Sequence, residues 1–96
     1  MIALREIKTF PLGEVRITPP AETVLQNAGR TFQEYLDRHA TCDWGELDID
    51  DWNDNDVAVS ADCRMHSVYK VTDDQTIWII TEADRSATTI LLPDDY

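Results

Sequence analysis

Thr76-Ile77-Trp78-Ile79-Ile80-Thr81-Glu82-Ala83-Asp84-Arg85-Ser86-Ala87-Thr88-Thr89-Ile90-Leu91-Leu92-Pro93 is the stretch on which the fold turns. Its first six residues are apolar toward both sides of an extended chain, the pattern of a strand with neighbours on either hand. A polar turn, Ala83-Asp84-Arg85-Ser86, separates it from a second strand-forming run, Ala87 to Leu92, which Pro93 closes. Upstream, Met65, Ser67, Tyr69 and Val71 alternate onto one face of a further strand, and Asp73-Asp74-Gln75 turns the chain between the two. This region therefore reads as a meander with Ile77–Thr81 at its centre.

The chain before the meander has a different period. Glu14-Val15-Arg16-Ile17-Thr18 alternates as a short half-buried strand and stops at Pro19-Pro20. Thr18 is placed to cap a helix with Pro19 at its first position, Val24, Leu25 and Ala28 on its apolar side, and Gly29 at its end. Thr31-Phe32-Gln33-Glu34 has the form of a capping box, opening a second helix in which Phe32, Tyr35, Leu36 and His39 share a face until about Ala40. Thr41 to Gly45 reads as a turn. From Leu47 to about Ala61 the apolar residues Leu47, Ile49, Trp52, Val57, Ala58 and Ala61 suggest a third helix, with acids crowded near its positive N-terminal end. The expectation is an α+β fold: two or three helices, N-terminal and central, on one face of a three- to four-stranded antiparallel sheet.

The 96 residues allow one core, so residues 1–96 are read as a single domain. No apolar run approaches the roughly 20 residues that span a bilayer. Met1-Ile2-Ala3-Leu4-Arg5-Glu6 lacks the form of a secretion signal, which makes a cytoplasmic protein the expectation. Cys42 and Cys63 stand far apart with no metal-binding spacing and are read as two reduced core thiols.

The net charge of −11 is unevenly placed. Residues 1–42 hold five bases and five acids, whereas residues 43–62 hold eight acids and no base. Those acids are Asp43, Glu46, Asp48, Asp50, Asp51, Asp54, Asp56 and Asp62. Such a surface repels phosphate backbones and anionic membranes, and it complements a basic protein surface. One reading of this ridge is a solvated helix face; the other is a partner-binding surface formed by Asp43, Trp44, Glu46, Asp48, Asp50, Asp51, Asp54 and Asp56, with tryptophan at its edge as anchor or as core. Asp51-x-Asn53-x-Asn55 begins like a calcium loop, but Asp56 stands where the turn needs Gly and Asp62 where a bidentate Glu is usual. No metal or cofactor is expected.

Imidazole chemistry has only His39 and His66 to draw on. His39 near a helix end complements the dipole, and His66 faces away from its neighbour Ser67. Glu82 and Arg85 in the hairpin turn, with His39, supply the base, acid and cation of a metal-independent ribonuclease. The plainer reading of the same turn is an Asp84–Arg85 pair closing a hairpin. Familiar enzyme motifs are absent from the sequence.

The run Ile77 to Pro93, with the segment His39 to Asn55 containing Asp43-Trp44-Gly45, Asp51 and Asn55, resembles a group of short bacterial proteins labelled plasmid-related or hypothetical. The resemblance transfers no functional residue; it implies a setting among mobile elements, where defence inhibitors and toxin–antitoxin pieces are common. The sequence thus leads to an acidic interaction module for a nucleic-acid-handling protein, acting as a nucleic-acid mimic or defence inhibitor. A toxin-type ribonuclease built on His39, Glu82 and Arg85 is the alternative.

Overall fold

A computed structural model describes residues 10–96; the Met1–Glu6 stretch read for a secretion signal lies outside them. The chain forms β1 (Glu14–Ile17), α1 (Pro19–Asn27), α2 (Phe32–Ala40), α3 (Ile49–Ala61), β2 (Met65–Lys70), β3 (Thr76–Thr81) and β4 (Ala87–Leu91), and a 3-10 turn follows at Pro93–Asp95. The fold is α+β, with the expected C-terminal meander. Among the described residues no helix is long and apolar enough to cross a membrane.

The four strands lie in the order β1-β4-β3-β2. β2–β3 and β3–β4 are antiparallel, with Ser67 opposite Ile79 and Thr81 opposite Thr88. β1 departs from the all-antiparallel expectation: it runs parallel to β4, with Glu14 beside Ala87. A strand separated from its neighbour by three helices and a hairpin is free to return in either direction, so its short pattern carries no information about that choice. Nor is β1 half-buried, since only Ile17 in it is shielded from solvent.

Alternation along the strands sends Tyr69, Ile77, Ile79 and Ile90 to one face, where they meet Ala21 and Leu25 of α1 and Tyr35 and Leu36 of α2. Thr18 caps α1 as expected, its Oγ1 accepting from the Ala21 N–H at 3.3 Å. Thr31 does not complete its capping box: its side chain makes no cap bond, and Glu34 pairs instead with Arg30 at 3.3 Å. Phe32 is exposed, leaving Tyr35, Leu36 and His39 as the buried stripe of α2.

A second apolar cluster joins Phe10, Cys42, Trp44, Ala58 and Met65, with Trp52 and Val59 packed against it. It seats α3 at the outer edge of β2. That edge is closed by two devices. Residues 44–46 add a short parallel rung, with Val68 N–H donating to Trp44 O at 3.1 Å and Glu46 N–H donating to Val68 O at 2.7 Å. Gly45 is required there, because a Cβ would lie 2.0 Å from Val68 O at a φ of +79°. Next along the edge, Asn55 faces inward from α3 and pairs with the His66 backbone, its Nδ2 donating to His66 O at 2.9 Å and its Oδ1 accepting from the His66 N–H at 3.2 Å. A side-chain amide here takes the place of a missing strand.

Both cysteines are free, as read, but only Cys42 is buried; Cys63 is exposed just beyond α3. Replacing Asn55 with Ala leaves two backbone groups of β2 without partners, at an expected cost of roughly 2–3 kcal/mol. Urea denaturation of Asn55→Ala measures it, and a loss below about 0.5 kcal/mol would show that the β2 edge does not depend on this amide.

Candidate functional site

The residues singled out from the sequence divide into those that build the interior and those that remain at the surface. His39 belongs to the first group. It is 0% exposed, held edge-on between Phe10 and Trp44 at centroid distances of 5.3 and 5.5 Å, and so is not a surface cap for the α2 dipole. Its Nδ1 lies 2.5 Å from Ser67 Oγ, and its Nε2 lies 2.8 Å from Thr81 Oγ1. Thr81 Oγ1 is 2.8 Å from Thr88 Oγ1, which donates to Leu12 O at 2.7 Å.

Counting protons fixes the polarity of this chain. A carbonyl only accepts, so the Thr88 hydroxyl proton is committed to Leu12, and Thr81 must donate to Thr88. Thr81 therefore accepts from Nε2–H, and the bare Nδ1 accepts from Ser67. Every group is satisfied with His39 neutral. Burial, with a smaller contribution from His66, holds its pKa down to about 3.

Arg85 is likewise an interior fastener. It adopts a left-handed φ of 62°, unusual for a side chain with a Cβ, at the end of the β3–β4 turn. Its Nη1 donates to Cys63 O at 2.7 Å and, at longer range, to Glu82 O and Ala83 O; its Nη2 donates to Ala58 O at 2.8 Å. The guanidinium thus satisfies carbonyls at the C-terminal end of α3, where a cation also complements the helix dipole. It does not pair with Asp84, whose carboxylate accepts from the Ser86 N–H at 3.0 Å and is held below its ordinary pKa by Ser86. Of the three residues proposed for a ribonuclease, Glu82 alone is exposed. A closed imidazole and a guanidinium engaged by backbone oxygens leave that reading without support from the geometry.

The acidic ridge sorts in the same way. Trp44 is 0% exposed, so it is a core residue and not an interface anchor; its indole N–H donates to Asp56 Oδ1 at 2.9 Å. Asp43 faces Arg38, which donates to it from Nε at 2.7 Å. Asp48 caps α3, accepting from the Asp51 N–H at 2.9 Å. Glu46, Asp48, Asp50, Asp51 and Asp54 are exposed, and among the described residues none of them forms an ion pair. The calcium-like Asp51–Asn55 stretch is helical, with Asn55 committed to β2. Among the described residues no group of three or more metal-ligating side chains stands together.

What the structure brings together is an acidic helix held from behind. Asn55 fastens its middle to β2, Arg85 its C-terminal end, and Asp56 its flank through Trp44. Between α3 and β2 lies a cavity of about 250 Å³ lined by Leu47, Asp51, Asp54, Asn55 and His66. Burial, and then Arg64, keep His66 below its ordinary pKa, with Asp51 opposing them. Two features of α3 escaped the sequence reading. Asn55 is legible there only as an oxygen ligand, and Ile49 and Val57, part of the apolar pattern that suggests the helix, are 70% and 63% exposed. The usable signal was their four-residue spacing through Asn53, which sets them on a different row from Trp52 and Val59.

The buried imidazole predicts a pH dependence with a definite sign. Its folded pKa lies below the unfolded value near 6.5, so its contribution is complete above pH 6.5. Below that, the unfolded chain binds a proton that the folded chain refuses. Stability then falls by up to about 1.4 kcal/mol per pH unit toward pH 3. Urea titrations between pH 7 and 4.5 should show a slope that His39→Gln reduces, the remainder belonging to His66; an unchanged slope in the variant would refute the assignment.

No protein-family model, curated protein or solved structure matches this chain.

Proposed function

We propose that this protein is an acidic interaction module whose α3 ridge binds a basic surface of a nucleic-acid-handling protein, standing in for nucleic acid. The observation that carries the reading is the exposure of Glu46, Asp48, Asp50, Asp51 and Asp54 on one helix and its entry, none of them in an ion pair among the described residues, with Asp43 and Asp56 engaged at the margin. Like charges set side by side repel one another, and several kT of negative potential over such a surface attracts a cationic groove. The helix is anchored on its inner side, so these carboxylates are presented by a preorganised element and little order is lost on binding.

Nucleic acid and anionic membranes are disfavoured as direct partners by the same charge. The resemblance to plasmid-related proteins fits an inhibitor of a defence protein or another nucleic-acid enzyme of the host cell. No cofactor enters this reading.

Capture from a bacterial lysate, with and without competing DNA, is the direct experiment. The expected partners are basic nucleic-acid-binding proteins, displaced by DNA and retained roughly tenfold less when salt is raised from 100 to 300 mM. Replacing Asp48, Asp50, Asp51 and Asp54 together with Asn preserves the helix cap, since Asn caps as well as Asp. Retention of every partner by that variant would end the proposal.

A further inference from the structure

Acids are not the only side chains that α3 leaves exposed. Ile49, Asn53 and Val57 follow one another at four-residue spacing along one row of the helix, and Asp50 and Asp54 occupy the adjoining row. Ile49 and Val57 are 70% and 63% exposed, two turns and about 12 Å apart. Neither is needed to seat the helix, which is held from its other side by Ala58, Asn55, Trp52 and Val59. Covering these two branched aliphatic side chains with a partner would remove apolar area from water right beside the carboxylates.

We infer that α3 docks as a helix against a protein partner bearing an apolar strip flanked by lysine or arginine. Ile49 and Val57 enter the strip, and Asp50 and Asp54 meet the basic rim. This inference rests on the acidic-ridge reading and adds the contact chemistry to it. Charge complementarity selects the occupant. A second copy of the chain would bring eight acids and no base from residues 43–62 against the same eight, and nucleic acid offers neither an apolar strip nor positive charge. An amphipathic basic helix or groove supplies both. The acids then govern encounter and salt dependence, while the aliphatic pair governs dissociation.

Two synthetic peptides of equal charge separate these contributions: an oligolysine, and a helical peptide with a leucine stripe bordered by lysines. Binding to the isotopically labelled protein is followed by amide shifts at 100 and 300 mM salt. The leucine–lysine peptide is expected to bind at least roughly tenfold more tightly, with shifts centred on α3, and to keep that advantage at the higher salt. Ile49→Ser with Val57→Ser should abolish the advantage without weakening oligolysine binding, whereas Asp50→Asn with Asp54→Asn should weaken both peptides. Circular dichroism checks that the exposed substitutions leave the fold intact.

Equal affinity for the two peptides, or an advantage that survives the double Ser variant, overturns the docking inference alone. Failure of both peptides to bind removes the acidic-ridge reading with it. Sedimentation showing a dimer that the Ser variant dissolves would assign the row to self-association and overturn the inference.

Discussion

A single polarised line of hydrogen bonds, from Ser67 through His39, Thr81 and Thr88 to Leu12, joins β2, α2, β3, β4 and the segment leading into β1. Burying five polar groups among Ile79, Met65 and Trp44 is unfavourable unless each finds its partner, and this line satisfies all of them in one direction only. Slipping β2 against β3 by one residue would turn Ser67 or Thr81 outward and leave the imidazole with an unmet nitrogen. The register of the meander and the seat of α2 are therefore fixed together.

The consequence for the surface is indirect. With β2 locked in place, its outer edge presents Val68 and His66 to whatever lies alongside, and residues 44–46 and Asn55 complete their hydrogen bonds. Arg85, held in a left-handed turn by the β3–β4 hairpin, reaches across to the last turn of α3. Each fastening acts on the inner side of the helix. Among the described residues the acids that remain outside form no ion pair, and the helix dipole at their end and these fastenings oppose the repulsion among them.

The sequence made the element order legible because periodicity and capping chemistry are local. Thr18-Pro19 opens α1 and Pro93 closes β4 as those residues require. What it hid was non-local. The parallel sense of β1 depends on where the chain returns, the Arg30–Glu34 pair takes the glutamate that Thr31 would have used, and His39 looks like a dipole cap until Ser67 and Thr81 are folded against it. For the site, the acidic excess was visible by counting. The division of its members was not: Trp44 and Asp56 bond to each other, and Asp43 turns to Arg38, through contacts that spacing alone does not encode.

The parallel rung between Glu14 and Ala87 also orders events in time. During translation, β1, α1 and α2 are made before any of the three strands they must contact, so Leu25, Tyr35 and Leu36 have no sheet to cover while the ribosome is still adding residues 65–91. The β3–β4 hairpin closes locally and fast once synthesised, whereas β1 waits for it across most of the polypeptide. The aliphatic faces of the early helices are thus the nascent molecule's longest-lived liability. A strand made before the whole meander is among the last to find its neighbour.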